Sequence, residues 1–104
     1  MSFKRRHHVA RVQDLSPGKG IKVTIGKMHI ALFNYRGRYY AMQNFCPHQN
    51  ADLADGYLRD GQVFCPLHNW AFDLASGAYA FNPELKIKTF PVVVEQDSIF
   101  ILID

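Results

Sequence analysis

The sequence predicts an all-β fold, a small antiparallel sandwich or barrel. Three observations point to this class: short runs that alternate apolar and polar residues, turn dipeptides between those runs, and the lack of a long amphipathic helical pattern. The chain has 104 residues, of which 48% are hydrophobic and 13% aromatic, enough to bury a core. We therefore expect a single domain over residues 1–104.

The first half of the chain contains four predicted strands, the last three of which form antiparallel hairpins. Gly26-Lys27 and Arg36-Gly37 supply the turns of these hairpins, and residues 15–20 form a loop rich in glycine, serine and proline. The predicted strands cover residues 9–12, 21–25, 29–35 and 38–42.

The second half continues with short strands. Asp60-Gly61 is a strong type I′ turn signal, Ser76-Gly77 marks a further turn, and Gln96-Asp97 closes a terminal hairpin. Residues 52–55 form a helical turn at most. The predicted strands cover residues 57–59, 62–64, 70–74, 92–95 and 98–102.

Composition excludes several classes of function. The chain has 12 Lys and Arg against 9 Asp and Glu, a mild excess of +3, and we interpret the basic run at residues 4–6 as a solvated, mobile end. No nucleic acid is expected as a partner, because the sequence has neither a wide basic surface nor a known nucleic-acid motif. No apolar run approaches the roughly 20 residues of a membrane span, and no secretory signal is visible. Only two cysteines occur, which favours a reducing, cytoplasmic location.

Two Cys-His pairs are the most informative motif. Cys46-Pro47-His48 has the spacing C-x-H, and Cys65-Pro66-Leu67-His68 has the spacing C-x2-H, with sixteen residues between the two motifs. Each pair places one thiolate and one imidazole in a single loop launched from a strand, so two such loops together offer two sulfurs and two nitrogens to a metal. One interpretation of this ligand set is a structural zinc site, although zinc sites usually pair Cys with Cys and His with His. Another interpretation is a degenerate domain that binds no metal.

The motif and its surroundings resemble the Rieske [2Fe–2S] ferredoxin family. The similar stretches are GRYYAMQNFCPH at residues 37–48 and CPLHNWAFDLASG at residues 65–77, and the likeness extends over residues 9–102. The resemblance implies a small Rieske (ISP-like) sandwich or barrel whose two cluster loops form a subdomain. It also implies a third loop near a proline that covers the cluster, for which Asn82-Pro83 is the candidate.

The resemblance further implies one Rieske [2Fe–2S] cluster, with Cys46 and Cys65 on one iron and His48 and His68 on the other. Two ferric ions, two sulfides and two thiolates sum to a neutral centre, whereas four thiolates would leave a dianion that accepts an electron less readily. High-potential members carry Ser and Tyr hydroxyls after the second His. Trp70 and Phe72 lie in the matching stretch and offer none. We therefore predict a low midpoint potential, roughly −150 to −50 mV.

The function implied is a one-electron carrier without catalytic residues of its own. Its donor would be a flavin-dependent reductase, and its acceptor an oxygenase or the large subunit of a nitrite reductase. The sequence CPLHNW at residues 65–70 most resembles the small subunit of an assimilatory NADH-dependent nitrite reductase, which is the alternative function. A complete Rieske oxygenase needs a further 2-His-1-carboxylate iron site, and we expect this chain to be too short to build that domain.

Overall fold

The computed structural model describes residues 4–47, 51–67 and 69–103. Within these residues it contains twelve β-strands and two 3-10 turns, at Val12–Asp14 and Leu53–Asp55. The strands are β1 Arg5–Arg11, β2 Lys19–Ile25, β3 Met28–Tyr35, β4 Arg38–Gln43, β5 Tyr57–Arg59, β6 Gln62–Phe64, β7 Ala71–Asp73, β8 Ala78–Tyr79, β9 Asn82–Lys86, β10 Thr89–Phe90, β11 Val92–Glu95 and β12 Ser98–Ile103. The predicted all-β class is confirmed.

The strands form three sheets, which we call the terminal, middle and five-stranded sheets. The terminal sheet has the order β1-β12-β11, the middle sheet β10-β4-β3-β2, and the five-stranded sheet β5-β6-β7-β8-β9. Every pairing is antiparallel. At Asp60 and Gly61 both φ values are positive, 54° and 76°, as the predicted type I′ turn requires.

The middle sheet is covered on both faces. Residues 30–34 of β3 are all buried, and successive side chains point in opposite directions, so the strand contributes to two cores. The base core lies toward the terminal sheet and consists of Ala10, Leu15, Ile30, Leu32, Ala41, Phe90, Ile99 and Ile101. The loop core lies toward the five-stranded sheet and consists of Ala31, Phe33, Met42, Cys46, Leu53, Ala54, Val63, Cys65, Phe72, Leu74 and Ile87.

The basic segment at the amino end differs from the prediction. Strand β1 begins at Arg5 rather than at residue 9, so Arg5 and Arg6 are not a mobile end. They pair with Ile103 and Leu102 of β12. Arg6 also forms an ion pair with Glu95 and lies over the ring of Phe100, 4.3 Å from its centroid. Pairing with a distant strand extends β1 beyond what local apolar alternation indicates.

The sequence did not predict strands β8, β9 and β10. Asn82 and Pro83, expected in a loop, lie instead at the start of β9, so that prediction is wrong in its secondary structure. Proline is tolerated there because β9 is an edge strand, where a missing N–H removes no ladder hydrogen bond on the open side. These strands are two to five residues long, too short for a periodic pattern to reveal them.

Among the described residues, no helix is both long and apolar enough to cross a membrane.

Candidate metal-cluster site

The two predicted cysteine ligands lie together in the loop core. Cys46 and Cys65 are both free thiols with no exposed surface, and their side chains are within hydrogen-bonding reach of each other. They arrive from different sheets, Cys46 three residues after β4 and Cys65 directly after β6. The fold therefore brings together two sulfurs that are nineteen positions apart in the chain.

The two loops are closed by equivalent backbone hydrogen bonds. The N–H of Cys46 donates to the carbonyl of Ala51 at 2.9 Å, and the N–H of Cys65 donates to the carbonyl of Trp70 at 2.7 Å. Each cysteine thus anchors a loop whose carbonyl partner lies five residues later. The different spacings C-x-H and C-x2-H are carried on loops of the same length.

The loops expose their tips and bury their sulfurs. Pro47 of the first loop and Pro66 and Leu67 of the second are exposed, as is Phe45 beside Cys46. Residues 48–50 and residue 68 lie outside the described residues, so the assignments of His48 and His68 as ligands stay predictions.

Asn69 adopts the left-handed backbone conformation, with φ of 58°. Asparagine reaches this region more readily than most other residues that carry a Cβ. Asn69 is therefore suited to this position directly after His68 in the sequence. The hydroxyl of Tyr57 donates a long hydrogen bond, 3.5 Å, to the side-chain oxygen of Asn69.

The first loop is braced against the 3-10 turn Leu53–Asp55. The side-chain oxygen of Asn44 accepts a hydrogen bond from the N–H of Ala54 at 2.8 Å, and the N–H of Asn44 donates to the carbonyl of His29 at 2.9 Å. Gly56 ends the turn so close to β6 that a Cβ would collide with the carbonyl oxygen of Phe64, the residue before Cys65. Only glycine permits this approach of the two loop-bearing segments.

The second loop rests on aromatic rings. Trp70 stacks on Tyr79 with centroids 4.3 Å apart, and Phe72, fully buried, lies 5.5 Å from the same tyrosine. Trp70 also packs against the loop core. Asn44, Tyr57 and Tyr79 were missed by the sequence analysis, because each acts through a partner at least eight positions away and no local motif marks it.

Burial raises the pKa of the Cys65 thiol from its ordinary 9.0 to about 11. A hydrogen bond from the backbone at Leu67 lowers it, while the neighbouring Cys46 raises it further. The Cys65 thiol is therefore protonated at neutral pH when no metal is bound. Coordination of a metal by this thiol would reverse the preference, because coordination deprotonates a thiol and releases its proton.

The described residues fit the sulfur half of a mixed Cys and His cluster site. Two adjacent, water-excluded thiols on opposed loops suit iron, which thiolates bind strongly. Within residues 4–47, 51–67 and 69–103, no group of three or more His, Cys, Asp or Glu side chains comes together as a metal site. His48 and His68, the predicted nitrogen ligands, lie outside these residues.

Comparison with known proteins agrees with this site. The sequence profile of the Rieske [2Fe-2S] domain matches residues 5–91. The chain is 36% identical over 85 residues to the ferredoxin component of the naphthalene 1,2-dioxygenase system of Pseudomonas putida, covering 81% of this chain and 82% of that protein. It is 39% identical over 97 residues to the 3-phenylpropionate/cinnamic acid dioxygenase ferredoxin subunit of Photorhabdus laumondii, covering 91% of each.

Solved structures show the same fold. The Sphingomonas yanoikuyae B1 ferredoxin superposes with a TM-score of 0.83 at 34% identity, covering 93% of this chain and 97% of that one. A Mycobacterium tuberculosis protein described as an NADH-dependent nitrite reductase small subunit superposes with a TM-score of 0.92 at 22% identity, covering 99% and 98%, a likeness of fold alone. Paired thiols on two matched loops, the profile match and these relatives agree, and the chain belongs to the Rieske [2Fe–2S] family, with one such cluster as its cofactor.

Proposed function

We propose that this chain is a one-electron carrier in which Cys46 and Cys65 hold one iron of the cluster and His48 and His68 hold the other. The observation that carries the proposal is the pair of buried, mutually adjacent thiols on two loops closed by equivalent hydrogen bonds. When bound, the cluster supplies reversible uptake of a single electron.

The protein residues contribute exclusion of water and access for a partner. Both sulfurs lie in the loop core, where the low dielectric environment leaves hydrogen bonds and charges largely unscreened. The loop tips are exposed, and Phe45 and Leu67 each leave nearly half of their surface in solvent, 46% and 45%. Such an apolar rim suits a small, weak contact, below about 1,200 Å² in total, from which a carrier dissociates quickly.

The proposed acceptor is the terminal oxygenase of a ring-hydroxylating dioxygenase system, and the proposed donor is a flavin-dependent reductase. Two relatives above 30% identity are ferredoxin components of dioxygenase systems. A solved complex of oxygenase with ferredoxin in carbazole 1,9a-dioxygenase contains a ferredoxin 26% identical to this chain, with a TM-score of 0.82. In this proposal the chain is one domain over residues 1–104, acts in the cytoplasm and performs no turnover by itself.

A second candidate is a permanent small subunit of a nitrite reductase. A protein described as the small subunit of an NADPH nitrite reductase superposes with a TM-score of 0.87 at 27% identity, covering 95% of this chain. The residues CPLHNW of the second loop also favour it. The two candidates share the cluster and differ in how long the partner stays bound.

The ligand assignment is tested on protein expressed with ample iron and purified without oxygen. We expect about two irons and two sulfides per chain and a reduced-state EPR signal of the Rieske type.

Cys46→Ser and Cys65→Ser should lose the cluster. His48→Cys and His68→Cys should lower the midpoint potential wherever the cluster assembles, because a further thiolate adds negative charge. His29→Cys, at an exposed position on β3, is the matched control and should leave the spectrum unchanged. A colourless protein holding one zinc ion would falsify the assignment.

The partner assignment is tested by kinetics and by purification. A carrier should be reduced by a flavin-dependent reductase with NADH and should then reoxidise in the presence of a terminal oxygenase and its aromatic substrate. A subunit should instead co-purify in equal amounts with a large reductase chain. Stable co-purification combined with no reoxidation by any oxygenase favours the second candidate.

A further inference from the structure

The side-chain amide of Asn44 is buried, and only its oxygen has a hydrogen-bond partner among the described residues. Its side chain is 6% exposed and its oxygen accepts the hydrogen bond from Ala54 N–H at 2.8 Å. Its nitrogen, Nδ2, is fully buried and finds no hydrogen-bond partner among the residues that the structure describes. A buried donor without a partner carries the full penalty of its lost hydration, so native structures rarely retain one without a reason.

Asn34 provides the comparison within the same chain. It is equally buried, at 3% exposure, and both halves of its amide are used. Its nitrogen donates to the carbonyl of Leu15 at 3.0 Å, and its oxygen accepts from the N–H of Gly37 at 3.0 Å. The fold can therefore satisfy a buried asparagine completely where its role is purely structural.

The orientation of Asn44 is determined by its satisfied half. A backbone N–H needs an acceptor, so the bond from Ala54 assigns the oxygen to that side and leaves the NH₂ group on the other. Asn44 stands two residues before Cys46, within the segment that β4 passes to the first loop. The side-chain oxygen of Asn44 is hydrogen-bonded to Ala54 of the 3-10 turn. Leu53 and Ala54 of this turn belong to the same loop core as both thiols.

We propose that Nδ2 of Asn44 donates an N–H···S hydrogen bond to a sulfur atom of the assembled cluster site, and so acts as a positioning residue that raises the midpoint potential. This inference rests on the proposed function. Hydrogen bonds to cluster and thiolate sulfurs stabilise the more negative, reduced state, and they are a principal means by which proteins adjust the potential. A sulfur acceptor supplied with the cluster accounts for a donor that finds no partner among residues 4–47, 51–67 and 69–103.

The test compares Asn44→Ser with Asn34→Ser in cluster-loaded protein. The shorter serine at position 44 should weaken electron binding by about tenfold, equivalent to about 59 mV for a one-electron couple. Asn34→Ser, which removes a fully satisfied amide, should lower stability and leave the potential unchanged. Asn44→Asp keeps the acceptor for Ala54, loses the donor and adds charge, so its potential should fall at least as far as that of Asn44→Ser.

A direct readout uses protein labelled with ¹⁵N only in asparagine side chains. Pulsed EPR of the reduced protein should detect a ¹⁵N coupling that Asn34→Ser retains and Asn44→Ser loses. If Asn44→Ser fails to assemble, Asn44→Asp, whose side chain carries no nitrogen, takes its place: the ¹⁵N coupling must be lost in Asn44→Asp and retained in Asn34→Ser. Equal potentials in Asn44→Ser and Asn34→Ser, or no ¹⁵N coupling in the unsubstituted protein, overturn the inference and leave a bound water or a loop carbonyl as the partner. A protein that never binds iron and sulfide refutes the proposed function instead.

Discussion

The two faces of the middle sheet carry out different tasks with the same strands. On one face, Ile30 and Leu32 of β3 pack in the base core with residues of the terminal sheet. On the other face, Ala31 and Phe33 pack in the loop core with the two cysteines. Neighbouring residues of one strand therefore belong to a purely apolar interface and to the wall of a metal site.

This difference shows that the metal site and the apolar core that supports the middle sheet lie on opposite faces of that sheet. The base core contains only apolar side chains and needs no ligand to be complete. The loop core includes two thiols and borders the half-satisfied amide of Asn44. The base core is thus complete with or without the cluster, whereas the loop core contains the two thiols that the proposal assigns to the cluster.

The largest expected effect comes from truncating the two faces separately. Phe33→Ala removes a fully buried ring from the loop core and should cost about 3–5 kcal/mol of unfolding free energy together with much of the iron content. Leu32→Ala in the base core should cost about 2–5 kcal/mol while the folded fraction keeps its cluster and its EPR spectrum. Denaturant unfolding and iron per folded chain measure both. Equal loss of iron in the two variants would show that the faces are not independent.

The second-largest expected effect is a loss of stability of the cluster-free protein at alkaline pH. Because the pKa of Cys65 is raised from 9.0 to about 11, the folded state holds a proton that the unfolded state has already lost between these values. The free energy of unfolding should therefore be unaffected by this group below pH 9.0 and should fall, on the order of 2 kcal/mol in all, as pH rises to about 11. Urea unfolding at several pH values measures it.

Cys65→Ser is the control for that measurement, since the other groups that titrate in alkali are unchanged in it. The decrease in unfolding free energy that is due to Cys65 equals the decrease in the parent protein minus the decrease in this variant. In the cluster-loaded parent protein the sulfur would already be a thiolate, so the fall in unfolding free energy between pH 9.0 and about 11 should lack the part that Cys65 contributes in the cluster-free parent. A fall of the same size in the cluster-loaded and the cluster-free parent contradicts the assignment of Cys65 as a ligand.

The smallest expected effect lies at Asn69 in the second loop. Asn69→Val forces a β-branched residue to a φ of 58° and should cost about 1–2 kcal/mol and shorten the lifetime of the cluster. Asn69→Gly should be neutral within about 0.5 kcal/mol, since glycine adopts this conformation freely. Asn82→Val, in the exposed strand β9, serves as the matched control and should have little effect. A stable Asn69→Val variant would mean that the loop can adopt another backbone path.

Much of the fold was predictable from local pattern. The hairpins around Arg36-Gly37, Asp60-Gly61 and Gln96-Asp97 are present, because each dipeptide adopts the positive φ values that reverse a twisted ribbon. Strand β10 and the extended start of β1 were not predictable, because they exist through pairing with distant strands. Strand β8 has only two residues, which are too few to show an alternating pattern.

By itself, the sequence determined which side chains are available for a metal site: the thiols of Cys46 and Cys65 and one histidine close to each. These are properties of residue type and local spacing, which the chain carries in any conformation. Only the tertiary structure decided that the thiols meet in one buried core, that Ala51 and Trp70 close the two loops alike, and that the buried side-chain nitrogen of Asn44 has no partner among the described residues. Burial and hydrogen-bond satisfaction depend on segments far apart in the chain, so they arise only when the sheets pack.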